Sequence, residues 1–151
     1  MIGRRSLLIS PLALLPSLAI SQQGSTIQLQ AIQSREFDCS LKVAFTAVLS
    51  VFQDLGYSIN TANFEIGLIT AKSLTTTAFE SLARYSKDER ATAFIEPSAP
   101  GRIKIRLSIV RSRRALGRGE EETAVTEPET YQAAFAKIQN AIFVRSNLGS
   151  N

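Results

Sequence analysis

"QDLGYSINTANFEIGLITA", residues 53–71, is the stretch on which the fold turns. It leaves an apolar helix, passes a glycine, and enters two short β-like runs separated by a turn. Gly56 is suited to the left-handed position after a helix end, where a Cβ would be penalised. Tyr57 and Ile59 alternate with polar neighbours, as one face of a strand does. Residues 61–67 supply the turn through Asn63 and Gly67. The β-branched run over 68–77 reads as the second strand. A helix stop followed by a β-hairpin explains both glycines through backbone needs alone.

Upstream, "CSLKVAFTAVLSVFQDLG" (39–56) places Leu41, Ala44, Phe45, Val48, Leu49, Phe52 and Leu55 on one stripe at helical spacing. Asp38 or Ser40 can cap its first turn. Residues 22–33 are polar with scattered Ile27, Leu29 and Ile32, and are expected as a tether feeding an edge strand, for which "AIQSREFD" (31–38) carries the signal through Ile32 and Phe37. Downstream, Phe79, Leu82 and Tyr85 suggest a short helix, and "EPSAPG" (96–101) a loop. "RIKIRLSIV" (102–110) alternates strictly: Ile103, Ile105, Leu107 and Ile109 against Arg102, Lys104, Arg106 and Ser108. Residues 111–119 read as a turn or longer loop, and 120–126 as the return strand. "EPETYQAAFAKIQNAIFVRS" (127–146) forms a second helix on Tyr131, Phe135, Ile138 and Ile142, with Thr126 or Glu127 as cap and Pro128 in the first turn. The expected order is β-α-β-β-β-β-α. That defines an α+β two-layer sandwich, a mostly antiparallel sheet with two helices on one face. Residues 34–146 make the single domain and 147–151 a tail.

The chain has 151 residues, 44% of them hydrophobic and 20% charged, so it can bury a core without disulfides. Its N-terminus, "MIGRRSLLISPLALLPSLAISQQ", has a basic start, about 15 apolar-rich residues and the small residues Ala19 and Ser21 at the positions a signal peptidase reads. Residues 1–21 are therefore expected to be a cleaved signal peptide. An uncleaved anchor and a buried helix are the competing readings. The Arg4-Arg5 pair also resembles a twin-arginine signal. Loss of Arg4 and Arg5 lowers the formal charge from +4 to +2.

Histidine is absent and Cys39 is the single cysteine. That removes the usual general base, the commonest metal ligand, an internal disulfide and a thiolate zinc cluster. Cys39 has no histidine to activate it, and reads as an inert, partly buried thiol or one that pairs between molecules. Glu120, Glu121, Glu122, Glu127 and Glu129 match no calcium-loop spacing. Lys72 and Lys104 as bases, and Tyr57, Tyr85 and Tyr131 as acids, are not brought together by any motif. There is no G-x-S-x-G and no phosphate loop. No catalytic residue, metal site or cofactor is expected, and the protein is read as a non-enzyme.

One run stands out. Arg102, Lys104, Arg106, Arg111, Arg113, Arg114 and Arg118 are seven cations with no acid among them. They form a candidate contact for a partner or an anionic surface such as lipid headgroups. Glu120, Glu121 and Glu122 follow directly, and in a hairpin they would lie across from the arginines and offset them. Aromatic interleaving of the kind a single-stranded nucleic-acid platform uses is missing, so nucleic acid is not an expected partner.

Several segments together, "REFD", "AVLSVFQDLGYSI", "GLITAKS" and "YQAAFAKIQNAIF", resemble a group of uncharacterised bacterial envelope proteins, many of them lipoproteins. The resemblance covers most of residues 34–144. More distantly, the β-α-β-β layout resembles the helix-grip domains in the C-type lipoprotein of the outer-membrane β-barrel assembly machinery. The matching residues are fold-bearing, so they carry no catalytic assignment. No lipobox cysteine is present, since Cys39 lies too far downstream. The signal segment, the missing catalytic residue types and the small α+β fold lead to the expectation of an exported interaction or accessory module of the cell envelope, periplasmic or membrane-associated, with an envelope protein as partner. The alternative is a small-ligand or lipid-binding module with a groove between helices and sheet lined by Phe45, Phe52, Tyr57 and Phe135.

Overall fold

The computed structural model describes residues 20–73, 76–80, 83–115 and 119–148, with side chains described over 26–73, 87–114 and 119–148. The element order is α1 (Ile20–Gln33), β1 (Ser34–Asp38), α2 (Leu41–Asp54), β2 (Tyr57–Asn63), β3 (Leu68–Ser73), β4 (Thr76–Glu80), β5 (Ala83–Ala99), β6 (Arg102–Ala115), β7 (Glu120–Ala124) and α3 (Pro128–Leu148).

All strand pairs are antiparallel, in the order β1-β6-β5-β3-β2. The two long strands β5 and β6 outrun these neighbours. On their far halves β4 joins β5 and β7 joins β6. The sheet alternates cleanly. Ile69, Ala71, Ala91, Ala93, Ile95, Ile103, Ile105, Leu107 and Ile109 are buried under the helices. The residues between them form an open face. From the helix side, α2 contributes Ala44, Phe45, Ala47, Val48, Val51 and Phe52, and α3 contributes Tyr131, Ala134, Phe135, Ile138 and Ile142. This is the expected α+β sandwich, with a further helix, α1, ahead of β1.

The local chemistry of the opening stretch holds. Ser40 caps α2, its Oγ accepting from the Val43 N–H at 3.3 Å. Gly56 follows the helix end at φ +83°. Gly67 closes the β2–β3 turn at φ +66°, and the Ile95 N–H donates to its carbonyl at 2.8 Å. Pro100 and Gly101, the latter at φ +73°, join β5 to β6 as a type II turn requires.

Four expectations change, one of them at residues 111–115, which continue β6 as strand where a turn or longer loop was expected. Residues 22–33 are not an extended tether but the body of α1, whose Ile32 packs against the core and whose Gln33 Nε2 donates to the Tyr131 hydroxyl at 3.2 Å. Where a helix was expected through Phe79, Leu82 and Tyr85, residues 76–80 and 83–87 are strand, paired as β4 and β5, and Leu82 lies outside the described residues. Long-range ladder bonding from Tyr85↔Ala115 to Ala99↔Arg102 decides the conformation over local spacing. "EPSAPG" is mostly strand too, with an irregularity between Pro97 and Ala99. Of the expected signal peptide, residues 1–19 lie outside the described residues, as do 149–151 of the tail.

Candidate functional site

Period-two alternation carries two faces of β6 into different surroundings. On the open face, Arg102 reaches Asp38 at 3.0 Å and Glu36 at 3.9 Å, and Lys104 and Arg106 share Glu96 at 3.9 and 4.0 Å. Arg114, on the same face, meets Glu120 at 2.6 Å, and Arg90 of β5 meets Glu122 at 2.5 Å. Register places Arg114 opposite Glu120, Arg113 opposite Glu121 and Ser112 opposite Glu122. The expected cross-strand offsetting is therefore present. Arg111 and Arg113 continue the Ile103–Ile109 parity and belong to the helix face. Arg118 lies outside the described residues. The six described cations of the run divide between the two faces of β6.

The helix face loses its cover where α2 ends. There the sheet continues beyond the core, and a cleft of about 630 Å³ opens, lined by Leu55, Tyr57, Ser73, Lys87, Asp88, Glu89, Arg111, Ser112, Arg113, Glu121 and Thr123. One chain of polar contacts spans its floor. The Tyr57 hydroxyl donates a short hydrogen bond to Glu89. Arg111 Nε donates to Glu89 at 3.0 Å, and its Nη1 donates to Glu127 at 3.0 Å. The Glu89 N–H donates to Ser73 Oγ at 2.8 Å. Strands β2, β3, β5 and β6 and the entry to α3 are thereby tied together. Nearby, the buried Tyr131 hydroxyl donates to the Val125 carbonyl at 2.9 Å and accepts from the Ile109 N–H at 3.4 Å.

Burial, and then the Glu89 carboxylate, push the Tyr57 phenol well above the ordinary tyrosine range. Its own backbone N–H and then Arg111 hold Glu127 below the usual carboxylate range, and Arg114 does the same to Glu120. The signs are opposite. The carboxylates stabilise the fold above their unfolded pKa of about 4.3 and lose that contribution as pH falls. The neutral phenol stabilises below about 10 and loses its contribution as pH rises. Stability against urea is expected to be flat between these limits and to fall on both sides. Glu120→Gln with Glu127→Gln should flatten the acid limb alone. Tyr57→Phe should lower stability by about 1 kcal/mol, a charge-assisted hydrogen bond discounted for partial exposure, and remove the alkaline limb. Equal alkaline limbs in the two proteins would contradict the assignment.

Among the described residues, Phe45, Phe52, Tyr57 and Phe135 do not line a common groove. Phe45, Phe52 and Phe135 are core residues, exposed by 6% or less. The described void among Phe52, Leu55, Tyr57, Ala91, Leu107, Ile109 and Ala134 is about 20 Å³, room for about one water. Of the four residues named for that groove, Tyr57 alone lines the large cleft. Among the described residues no group of His, Cys, Asp and Glu is arranged to hold a metal ion. Cys39 is half-buried, and burial followed by the Asp38 charge push its thiol up, away from reactivity. Glu89 escaped the sequence reading because it belongs to no motif, and Glu127 entered it only as a helix cap and as one of the clustered carboxylates. The parity of Arg111 and Arg113 with Ile109 was the available signal.

No protein-family model and no curated protein matches the chain. Among solved structures it is similar to a DUF4468 family protein from Bacteroides ovatus, at 13% identity and a TM-score of 0.43, over 72% of this chain and 84% of that one. It is also similar to a TBP-like protein from Parabacteroides distasonis, at 13% identity and a TM-score of 0.40, over 72% of this chain and 90% of that one.

Proposed function

We propose that the chain is an exported, non-enzymatic accessory module of the cell envelope that works by binding another envelope protein. The observation that carries this reading is on α3. That helix runs on past its last buried residue, Ile142, and presents Phe143, Val144 and Leu148 at 68%, 52% and 73% exposure. Apolar side chains grouped at one helix end mark an interaction surface more often than chance exposure does. Beside them a second hollow of about 360 Å³ is lined by Arg35, Phe37 and Asp38 of β1 together with Gln139, Ile142, Phe143 and Ser146. The sheet edges are less suited to strand addition: β1 and β7 are five residues each and carry charge, and β2 is broken by an irregularity between Ile59 and Thr61.

Two further features support the reading. Among the described residues the void beneath Phe52, Leu107 and Ile109 is only about 20 Å³, which supports recognition on the surface. The ionisable groups at the mouth of the cleft are tied to one another, and the sequence contains no histidine to serve as a poised base. Export rests on the basic, apolar and small-residue order of residues 1–21. Among the described residues no helix is long and apolar enough to cross a membrane.

A photo-crosslinker at position 143 tests the reading in intact cells. A discrete protein adduct is expected, and Val144→Glu with Leu148→Glu should abolish it while leaving the folded protein's unfolding midpoint unchanged. The same adduct from a crosslinker at Thr92 on the open sheet face, or no adduct from 143, would contradict it.

A further inference from the structure

Helix α3 lacks charge on the side it turns away from the sheet as well as on the side it buries. At about 100° per residue, Asn140 lies opposite the buried stripe of Tyr131, Phe135, Ile138 and Ile142. Ala133, Ala136, Lys137, Phe143 and Val144 fall within about 60° of Asn140 around the helix, and all of them, with Asn140, are exposed. From Thr130 to Val144 the only charged residue is Lys137. A helix face that meets water is ordinarily rich in charged residues. Here it carries small apolar residues in its first half and large ones in its second, with a single amide between them.

That order makes the stripe complementary to itself. With two copies of α3 antiparallel about a two-fold axis through Asn140, residues equally far from Asn140 on opposite sides meet. Phe143 and Val144 of one copy then face Ala136 and Lys137 of the second, and Leu148 reaches toward Ala133. Large side chains sit over small ones, as ridges fit grooves between packed helices. The Lys137 stem covers Val144 from the edge of the stripe and keeps its ammonium in water. On the axis Asn140 meets Asn140, and each amide both donates and accepts, so the pair satisfies itself and fixes the register. Parallel packing would instead set ring against ring and alanine against alanine, and leave a gap between the alanines.

We propose that this stripe of α3 packs against the same stripe of a second copy of the chain, antiparallel and centred on Asn140. The inference rests on the reading of α3 as the binding surface and supplies its partner. The stretch from Ala133 to Leu148 is about 22 Å long. One helix pair of that length lies at the small end of specific interfaces. The pair therefore forms where copies are crowded and separates on dilution, and unfolding of dilute protein reads the single chain.

Single cysteines on α3 of the full chain, each combined with Cys39→Ser, test it in intact cells oxidised with copper phenanthroline. Asn140→Cys lies on the axis and is expected to give a reducible dimer. Ala133→Cys is held about 20 Å from its mate and is expected to stay monomeric. Ala136→Glu added to Asn140→Cys should lower the dimer by about tenfold or more, because it sets a carboxylate against the Phe143 ring of the second copy. An unchanged circular dichroism spectrum shows that this variant folds. With two differently tagged copies expressed together, the adduct from a crosslinker at 143 should carry both tags. No dimer from Asn140→Cys, or equal dimer from Asn140→Cys and Ala133→Cys, would overturn the proposal. An adduct at 143 that joins one tagged copy to a different protein would overturn it too, while leaving α3 as the binding surface. No adduct at 143 would remove both readings.

Discussion

Gly67→Ala is expected to destabilise the protein by about 3–5 kcal/mol, and Gly101→Ala by only about 1 kcal/mol. Both glycines have positive φ, at +66° and +73°, so an alanine at either is strained. The difference lies in what the new methyl meets. At Gly67 an added Cβ would sit 1.9 Å from the Ile95 carbonyl oxygen, a backbone atom that cannot rotate away. At Gly101 nothing lies within 4 Å. The clash at Gly67 also pries apart the junction where the Ile95 N–H donates to the Gly67 carbonyl, and so threatens the β3–β5 ladder. Urea unfolding of the two variants measures the contrast. Similar losses in both would mean that the hairpin does not approach β5 as described.

Phe135→Ala carries the second large effect, a loss of about 3–5 kcal/mol from transfer and cavity terms together. Phe135 is 1% exposed at the centre of α3. Its ring lies 6.2 Å from that of Phe37 on β1, and the Arg35 guanidinium sits 5.1 Å above it. Truncation therefore opens a hole between the closing helix and the edge strand and removes a cation–π contact. Phe143→Ala, two turns later on the same helix, should change stability by less than about 0.5 kcal/mol, because that ring is in solvent. A small loss at Phe135 would mean that the sheet does not grip α3.

Much of this architecture was legible because strong periodicity and strong punctuation coincided. The α2 stripe ended at a glycine, and Ile103, Ile105, Leu107 and Ile109 alternated without interruption. The misread segments lacked that contrast. Strand β5 turns Ala91 and Ala93 to the core, 2% and 0% exposed, where the helices come close. Alanine is small and helix-favouring, so it conceals a period-two signal that a valine would show. Pro97 likewise suggested a loop, although an irregularity lets the strand pass it. In α1, Leu29 and Ile32 are only half-buried, and the contacts that favour helix, such as Gln33 with Tyr131, are 98 residues apart in sequence.

The candidate cleft was half legible for the same reason. The basic run named Arg111 and Arg113 but treated them as one group with Arg102, Lys104, Arg106 and Arg114. Strand parity divides them between two faces. Only the point where α2 stops covering the sheet turns Arg111 and Arg113 from core-facing positions into the walls of a cleft. That point depends on helix length and packing rather than on residue type. Glu89 and Glu127 acquire their significance through Arg111, 22 and 16 residues away.

The central claim is that this chain works outside the cytoplasm as a binding module. Fractionation of cells expressing the C-terminally tagged protein, with intact mass of the purified product, tests it most directly. A species in the periplasmic or envelope fraction whose mass places its first residue at Gln22 is the predicted result. A full-length species confined to the cytoplasm, still carrying Met1 and the Arg4-Arg5 pair, would contradict it.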